Sequence, residues 1–474
     1  MLITYADSLG GDLQKLDEAL DGPLNGVIGS VHLLPFFPSS GDRGFAPLCY
    51  DRVDPAFGTF EDVQRIGNKY ALMFDFMVNH ISAQSSYYQD FLMNKEQSAY
   101  KDYFIRYRDF WAGGEPTKEQ VEKIYKRKPR APYVEAVFAD GSREKIWCTF
   151  SEEQIDLDVQ KPATKDFIRN TMKDMCQKGA KMIRLDAFAY AVKRPDTSCF
   201  FIEPDIWELL RFIQQTVAPY HVEILPEIHE HYSIQLKIAQ QGFWVYDFAL
   251  PMLVLHALYS GDGRRLKHWL EIAPRRQFTT LDTHDGIGVV DVADLLSQDE
   301  IEQTREDLFA KGANVKKIYN TAAYNNLDIY QINCTYYSAL GNDDQSYLLA
   351  RAIQFFAPGI PQVYYVGLLA GENDITLMES TKQGRDINRH YYTAEEIERE
   401  VQRPVVRRLF ALMRLRNNHP AFHVDGECRV ELTGENGLRI HRAWDGYEAI
   451  LEADLKTHEF TIQSRIDGNK EENT

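Results

Sequence analysis

Short runs of apolar and β-branched residues recur along this chain, and amphipathic helical stretches separate them. The runs occupy 27–34, 71–78, 181–186, 222–227, 244–250, 278–283 and 360–367. Between them lie helix patterns such as 163–178, with Phe167, Ile168, Met172, Met175 and Cys176 along one side. A second pattern, 345–356, stops at Ala357-Pro358-Gly359. Strands that are apolar on both faces and alternate with helices require a parallel sheet covered by helices on both sides. Seven or eight such units in 474 residues suit a closed barrel better than an open sheet. The expected fold class is therefore α/β, a (β/α)8 TIM barrel.

Two stretches break the alternation. Residues 81–160 are aromatic and charged, with Tyr87, Tyr88, Tyr100, Tyr103, Phe104, Phe110 and Trp111. Residues 287–341 carry an acidic helix near 299–310 and then the polar run Tyr324-Asn325-Asn326-Leu327-Asp328-Ile329-Tyr330-Gln331. Both follow strand ends, where a barrel carries its functional loops. Beyond about residue 422 the pattern becomes short alternating segments, read as a small antiparallel domain, with a polar, mobile tail from Ser464. The expected layout is barrel over 1–80, 161–286 and 342–421, inserted loop domains over 81–160 and 287–341, and a C-terminal β domain over 422–474.

Composition narrows the class of partner. The formal net charge is −17, which disfavours nucleic acid and anionic membranes, because both call for a basic footprint. The six cysteines (Cys49, Cys148, Cys176, Cys199, Cys334, Cys428) are far apart and form no CxxC, so reduced thiols are expected and a zinc site is not. No window approaches the roughly 20 apolar residues of a membrane span. A cytoplasmic enzyme without membrane or nucleic-acid partners is expected, monomeric or homodimeric.

Ionisable residues gather at the ends of the proposed strands. Phe74-Asp75-Phe76-Met77-Val78-Asn79-His80 ends one, and Ile183-Arg184-Leu185-Asp186 a second. Ile224-Leu225-Pro226-Glu227-Ile228-His229 and Thr280-Leu281-Asp282-Thr283-His284-Asp285 end two more. A single charge after an apolar run is ordinarily the solvated exit of a strand. Four such segments at the same end of one barrel point to a catalytic face.

In this order the four segments resemble the signature regions of the α-amylase superfamily of retaining glycoside enzymes. Flanking sequences extend the resemblance over nearly the whole chain. They include Leu34-Pro35-Phe36-Phe37-Pro38, Gly41-Asp42-Arg43-Gly44-Phe45, Glu153-Gln154-Ile155-Asp156-Leu157-Asp158 and Gly384-Arg385-Asp386-Ile387-Asn388-Arg389-His390. Together they are similar to the sucrose phosphorylases of the lactic-acid-bacterial type. The resemblance implies reversible phosphorolysis of sucrose to α-glucose 1-phosphate and fructose, with inorganic phosphate as acceptor and no cofactor or metal.

The same resemblance implies the roles of individual residues. Asp186 matches the carboxylate nucleophile, Glu227 the general acid/base and Asp285 the third carboxylate, which grips the sugar hydroxyls. A retaining mechanism needs such a pair across the glycosidic bond. Arg184 lies two residues before Asp186 on the strand and so points to the same side, where it would keep the nucleophile ionised. His80 and His284 match histidines that hydrogen-bond the glucose, Asp42 closes the far end of that subsite, and Phe45 supplies an apolar wall.

On the acceptor side, a phosphorylase must admit an anion into an acidic protein and so needs local positive charge. Arg385 matches a residue of the phosphate/fructose subsite. Asp328, Tyr330 and Gln331 match the loop that serves fructose and phosphate in turn, and Tyr190 and His229 line the same subsite. The basic run Tyr125-Lys126-Arg127-Lys128-Pro129-Arg130 falls where the family has an arginine-bearing loop, with Arg127, Lys128 and Arg130 all open as the phosphate contact. Relatives acting on sucrose 6-phosphate resemble His at the position of Tyr330, so Tyr330 favours plain sucrose. Sucrose 6-phosphate phosphorolysis, and hydrolysis or transglucosylation of α-glucosides, are the alternatives.

Weaker signals point elsewhere. Asp285-Gly286-Ile287-Gly288 lacks the rest of a nucleotide-binding fingerprint, and His229-Glu230-His231 is not an HExxH zinc motif. Asp75 and Asn79 resemble the first signature region, where many amylases use the asparagine for calcium. Amylase-like transporter subunits keep the barrel but carry a membrane anchor and lose the carboxylates, and neither holds for this chain.

Overall fold

The computed structural model describes residues 1–128, 130–313, 331–466 and 469–473. Eight strands carry the frame: β1 (Leu2–Thr4), β2 (Ser30–Leu33), β3 (Ala71–Met77), β4 (Ala180–Asp186), β5 (Glu223–Pro226), β6 (Val245–Asp247), β7 (Gln277–Thr279) and β8 (Ile360–Pro361 running on into Val363–Tyr364). The chain divides into two compact units, one of Met1–His32 with the segments from His229 onward, the other chiefly Leu33–Ile228.

In the first unit β6 pairs parallel with β7, β7 with the start of β8, and the end of β8 with β1. The register Leu2↔Val363 sets the first strand of the frame beside its eighth. Closure of an eight-stranded barrel requires such a pairing. The helix Asp344–Phe356 leads into β8 and is buried along most of its length, with the Asp343 carboxylate accepting from the Ser346 amide at its start.

The same unit ends in a five-stranded antiparallel meander, Glu427–Thr433, Gly437–Trp444, Tyr447–Asp454, Phe460–Ile466 and Asn469–Asn473. The expected mobile tail is thus a pair of strands, with Ser464↔Glu471 and Ile466↔Asn469 in register. Polar composition suggested a mobile tail, yet the backbone here pairs as strands.

In the second unit β3, β4 and β5 are parallel, with Asp75↔Arg184, Met77↔Asp186 and Arg184↔Leu225 in register. The helix Pro162–Gln177 precedes β4; proline opens it, and it buries Phe167, Ile168, Met172 and Met175. The stretch after β3 forms two antiparallel pairs, His80–Ser82 with Gln154–Asp156 and Tyr133–Val137 with Arg143–Trp147. Around them Ile105, Tyr107, Trp111, Ile124, Trp147 and Cys199 make a separate apolar cluster. All six cysteines are free thiols. Among the described residues no helix is long and apolar enough to cross a membrane.

Candidate active site

The Leu33–Ile228 unit gathers two of the three predicted carboxylates around one guanidinium. Arg184 and Asp186 alternate along β4, so both side chains leave the same face of the sheet. Arg184 Nη1 donates to Asp186 Oδ1 at 3.0 Å and to Asp75 Oδ1 at 2.5 Å, and its Nη2 lies 3.7 Å from Glu227 Oε1. Glu227, just past β5, also accepts from the Ala187 amide at 3.1 Å. That amide is turned towards it because Ala187 takes a left-handed conformation, φ 52°. The guanidinium is 3% exposed and Asp75 fully buried, so this charge cluster is screened little by solvent.

Reading the sequence placed Asp75 at a strand end and in the first signature region but gave it no partner and no place in the site. A lone carboxylate inside the apolar run Phe74–Phe76 was the available signal, because an unpaired charge there is costly. Its partner, 109 residues away, becomes visible only with the strand register.

His80 is fully buried, and burial holds its imidazole below the ordinary histidine range. Its Nε2–H donates to the Phe45 carbonyl at 2.8 Å, and the Asn79 amide lies 3.4 Å from Nδ1. A sugar hydroxyl that takes His80 therefore displaces one of these bonds. The Phe45 ring faces the Arg184 guanidinium at 5.7 Å. Asp42 sits at the head of a short turn, in a left-handed conformation with φ 46°, and is exposed. Tyr190 is buried against Phe150 and Phe200 in the turn after β4.

Reading the sequence missed Lys193. Its ammonium lies 2.8 Å from each of three oxygens: Asp156 Oδ2, Asn79 Oδ1 and the Tyr190 carbonyl. The asparagine that many amylases use for calcium here has its oxygen filled by a cation of the chain itself. These residues do not fit a divalent ion.

The basic run separates by geometry. Arg130 donates to the carbonyls of Ala131, Tyr133 and Phe150 at 3.1, 2.7 and 3.2 Å, so it braces the backbone of its own loop. Arg127 is buried and Lys128 half-buried, and both line one recess with Arg130, Tyr125, Tyr190 and Thr149.

The other unit holds the third carboxylate. Asp285 follows β7, with Arg385 Nη1 3.0 Å from its Oδ1 and His284 Nε2 3.6 Å from its Oδ2. The Gly384–Asn388 turn holds this loop, since Asn388 donates to the Thr283 carbonyl and Arg389 to that of His284. Beneath it Asp282 pairs with the fully buried Arg351 at 2.7 Å. Gly367 lets that pair form, because a Cβ there would sit 2.0 Å from the Asp282 carboxylate and 2.1 Å from the guanidinium.

His229 stacks on Phe248 with centroids 3.8 Å apart, its Nδ1 3.4 Å from Asp291 Oδ2 and its Nε2 3.3 Å from the Gln331 amide nitrogen. His231 turns to Ser233 and Asp294 instead, so the two histidines of the His-x-His run have different partners. Gly286 and Gly288 serve packing: a Cβ on Gly286 would strike Gln331 and Ile332 of the neighbouring strand. Asp328 and Tyr330 lie outside the described residues.

Comparison with known proteins bears on the whole chain. Residues 5–241 match the family model "Alpha amylase, catalytic domain". The chain is 58% identical to a sucrose phosphorylase of Streptococcus mutans over 98% of its length and 96% of that protein. It is 44% identical to a sucrose 6(F)-phosphate phosphorylase of Thermoanaerobacterium thermosaccharolyticum, covering 99% of this chain and 97% of the relative. The crystal structure of the sucrose 6F-phosphate phosphorylase from Thermoanaerobacter thermosaccharolyticum superposes with TM-score 0.94 at 43% identity, covering 100% of this chain and 97% of that one. The fold is accordingly a (β/α)8 barrel with inserted loops and a C-terminal antiparallel β domain.

Proposed function

The chain belongs to the α-amylase family, and from that premise we propose that it catalyses the reversible phosphorolysis of sucrose. What carries the proposal is the full-length 58% identity to a sucrose phosphorylase, laid over a carboxylate pair that flanks a single buried guanidinium.

The reaction runs in two displacements. Asp186 attacks the anomeric carbon of the glucosyl unit while Glu227 gives its proton to the departing fructosyl oxygen. Fructose leaves, and glucose is held as an ester of Asp186. Phosphate then attacks the same carbon, Glu227 takes the phosphate proton, and Asp186 departs as a carboxylate. Two inversions return the α configuration of glucose 1-phosphate. Arg184 keeps Asp186 ionised before attack and receives it again when the ester breaks. Asp285 grips the sugar hydroxyls as the ring flattens, with His284 and His80 on the glucose, Asp42 closing its far end and Phe45 as an apolar wall.

Arg385, Tyr190, His229, Asp328, Tyr330 and Gln331 serve the acceptor. Arg127, Lys128 and Arg130 of the basic run line one recess and supply its positive charge for phosphate. The 44% identity to a sucrose 6(F)-phosphate phosphorylase favours a second reading, with fructose 6-phosphate as leaving group, and Tyr330 counts against it.

The test is product release from sucrose with and without inorganic phosphate. Glucose 1-phosphate that depends on phosphate supports the proposal. Free glucose at the same rate in both conditions makes the chain a hydrolase or transglucosidase, and silence on sucrose with turnover of sucrose 6-phosphate establishes the second reading.

A further inference from the structure

Asp291 has no role in the reaction as described, yet it is built into the surroundings of His229. It lies in the short turn Val290–Val292 and is 2% exposed, with Oδ2 3.4 Å from His229 Nδ1. Gly288 makes room for it: a Cβ at that position would sit 2.1 Å from Oδ2. Phe248 fixes the plane of the imidazole from one side by stacking at 16°. Gln331 faces the other ring nitrogen. Three segments of the chain thus converge on one imidazole, and of these the 287–292 stretch brings a carboxylate to Nδ1.

A carboxylate in that place has two effects. It accepts the Nδ1–H, which fixes the tautomer and the orientation of Nε2. It also favours the imidazolium over the neutral ring, because a cation beside an anion in a site little screened by solvent gains more than a neutral donor does. We propose that Asp291 is a positioning residue for the acceptor half of the reaction, holding His229 by Nδ1 and stabilising the charged ring that receives anionic phosphate. This rests on the assignment of His229 to the acceptor subsite.

Burial pushes the Asp291 carboxyl upward and His229 opposes that shift, which ties the charges of the two groups together. The other ionisable groups of this unit facing the pair are Glu230, Asp247 and Asp285, the last with an oxygen within 4.8 Å of a His229 nitrogen. All three are acidic, so each adds to Asp291 in favouring the imidazolium and none repels it. A protonated Nε2 no longer accepts from the Gln331 amide, and a half-turn of that amide presents its oxygen instead.

The experiment uses the full chain and the variant Asp291→Asn, which keeps the shape and an acceptor oxygen but not the charge. Phosphate KM is expected to rise about tenfold, the scale of lost outer-shell support, with a much smaller change in sucrose hydrolysis measured without phosphate. In protein carrying 15N-labelled histidine, the His229 ring resonances should move towards those of a neutral imidazole at the same pH. Gly288→Ala, which displaces the carboxylate without altering it, should move both readouts in the same direction.

An unchanged phosphate KM, or equal losses in phosphorolysis and hydrolysis, would overturn the proposal. So would His229 resonances identical in parent and Asp291→Asn. Were the parent to make no glucose 1-phosphate at all, the proposed function would fall, and the resonances would still decide whether Asp291 controls the charge of His229.

Discussion

Replacing Asp75 by Asn tests how the charge cluster is balanced. In the native protein two carboxylates share one nitrogen of Arg184, at 2.5 and 3.0 Å, and the guanidinium is 3% exposed. Removing one partner of a buried ion pair costs about 3–5 kcal/mol. The lower end, about 3 kcal/mol, applies here, because Asn keeps an acceptor oxygen and Asp186 still faces the arginine. That is roughly two powers of ten in the unfolding equilibrium.

Catalysis shifts by a different route. Two carboxylates about 5 Å apart repel by roughly 3 kcal/mol at an effective dielectric constant near 20. Neutralising Asp75 relieves that repulsion and gives Arg184 wholly to Asp186, which makes the nucleophile more stable and less reactive. Relief of about half the repulsion slows glucosyl transfer to Asp186 by roughly tenfold. The assay pairs the half-life of thermal inactivation with the rate of fructose release well below the unfolding temperature. Parent-like half-life and parent-like rate in Asp75→Asn would refute the idea that Asp75 shares Arg184 with the nucleophile.

Other expectations follow from single residues. Glu227→Gln should lose about two to four powers of ten with sucrose but much less with α-glucosyl fluoride, whose leaving group needs no proton; equal losses would remove Glu227 as the acid. Arg385→Ala should raise phosphate KM far more than it slows sucrose hydrolysis, which steady-state kinetics at varied phosphate will show. Gly367→Ala should lower the melting temperature sharply or prevent folding, because its Cβ falls 2.0 Å from Asp282 and 2.1 Å from Arg351. Asp247 is pushed up to about 7 from an ordinary value of 3.8, chiefly by burial. With the folded value raised, its contribution is full below about pH 4 and is lost as pH rises through 7. The melting temperature of the parent should therefore fall relative to Asp247→Asn between pH 4 and pH 7, and a constant difference across that window would contradict the assignment.

Much of the frame is legible in the sequence because its strands repeat a short apolar run with polar residues at or just beyond the end, as at Asp186, Glu227 and Thr279. The acidic helix expected over 299–310 is Gln298–Ala310, started by Ser297 and Glu300 as a reciprocal cap. What sequence conceals is pairing at a distance. Nothing near Asp75 announces Arg184, and Lys193, in the stretch Val192-Lys193-Arg194-Pro195, looks like any solvated basic residue. Arg127 and Arg130 are equivalent as letters in a charge run, and only the structure shows that both line one recess and that Arg130 also donates to backbone carbonyls. The tail after Ser464 misled for the opposite reason, since its polarity suits the edge of a sheet as well as disorder.

The pairing of β1 with the end of β8 has a consequence for how this chain is made. Met1 donates from its amine to the Pro361 carbonyl, a partner 360 residues away. At roughly 5–20 residues per second of synthesis, the first strand waits on the order of 20–70 s for the strand that will lie beside it. During that interval its backbone donors and acceptors have water or a chaperone to bond, and no native neighbour on that side. Closure is therefore a late step of long loop length, which slows folding and lengthens the exposure of an unpaired edge. Conditions that slow translation or dilute chaperones should cost yield of this protein before they cost its activity per molecule.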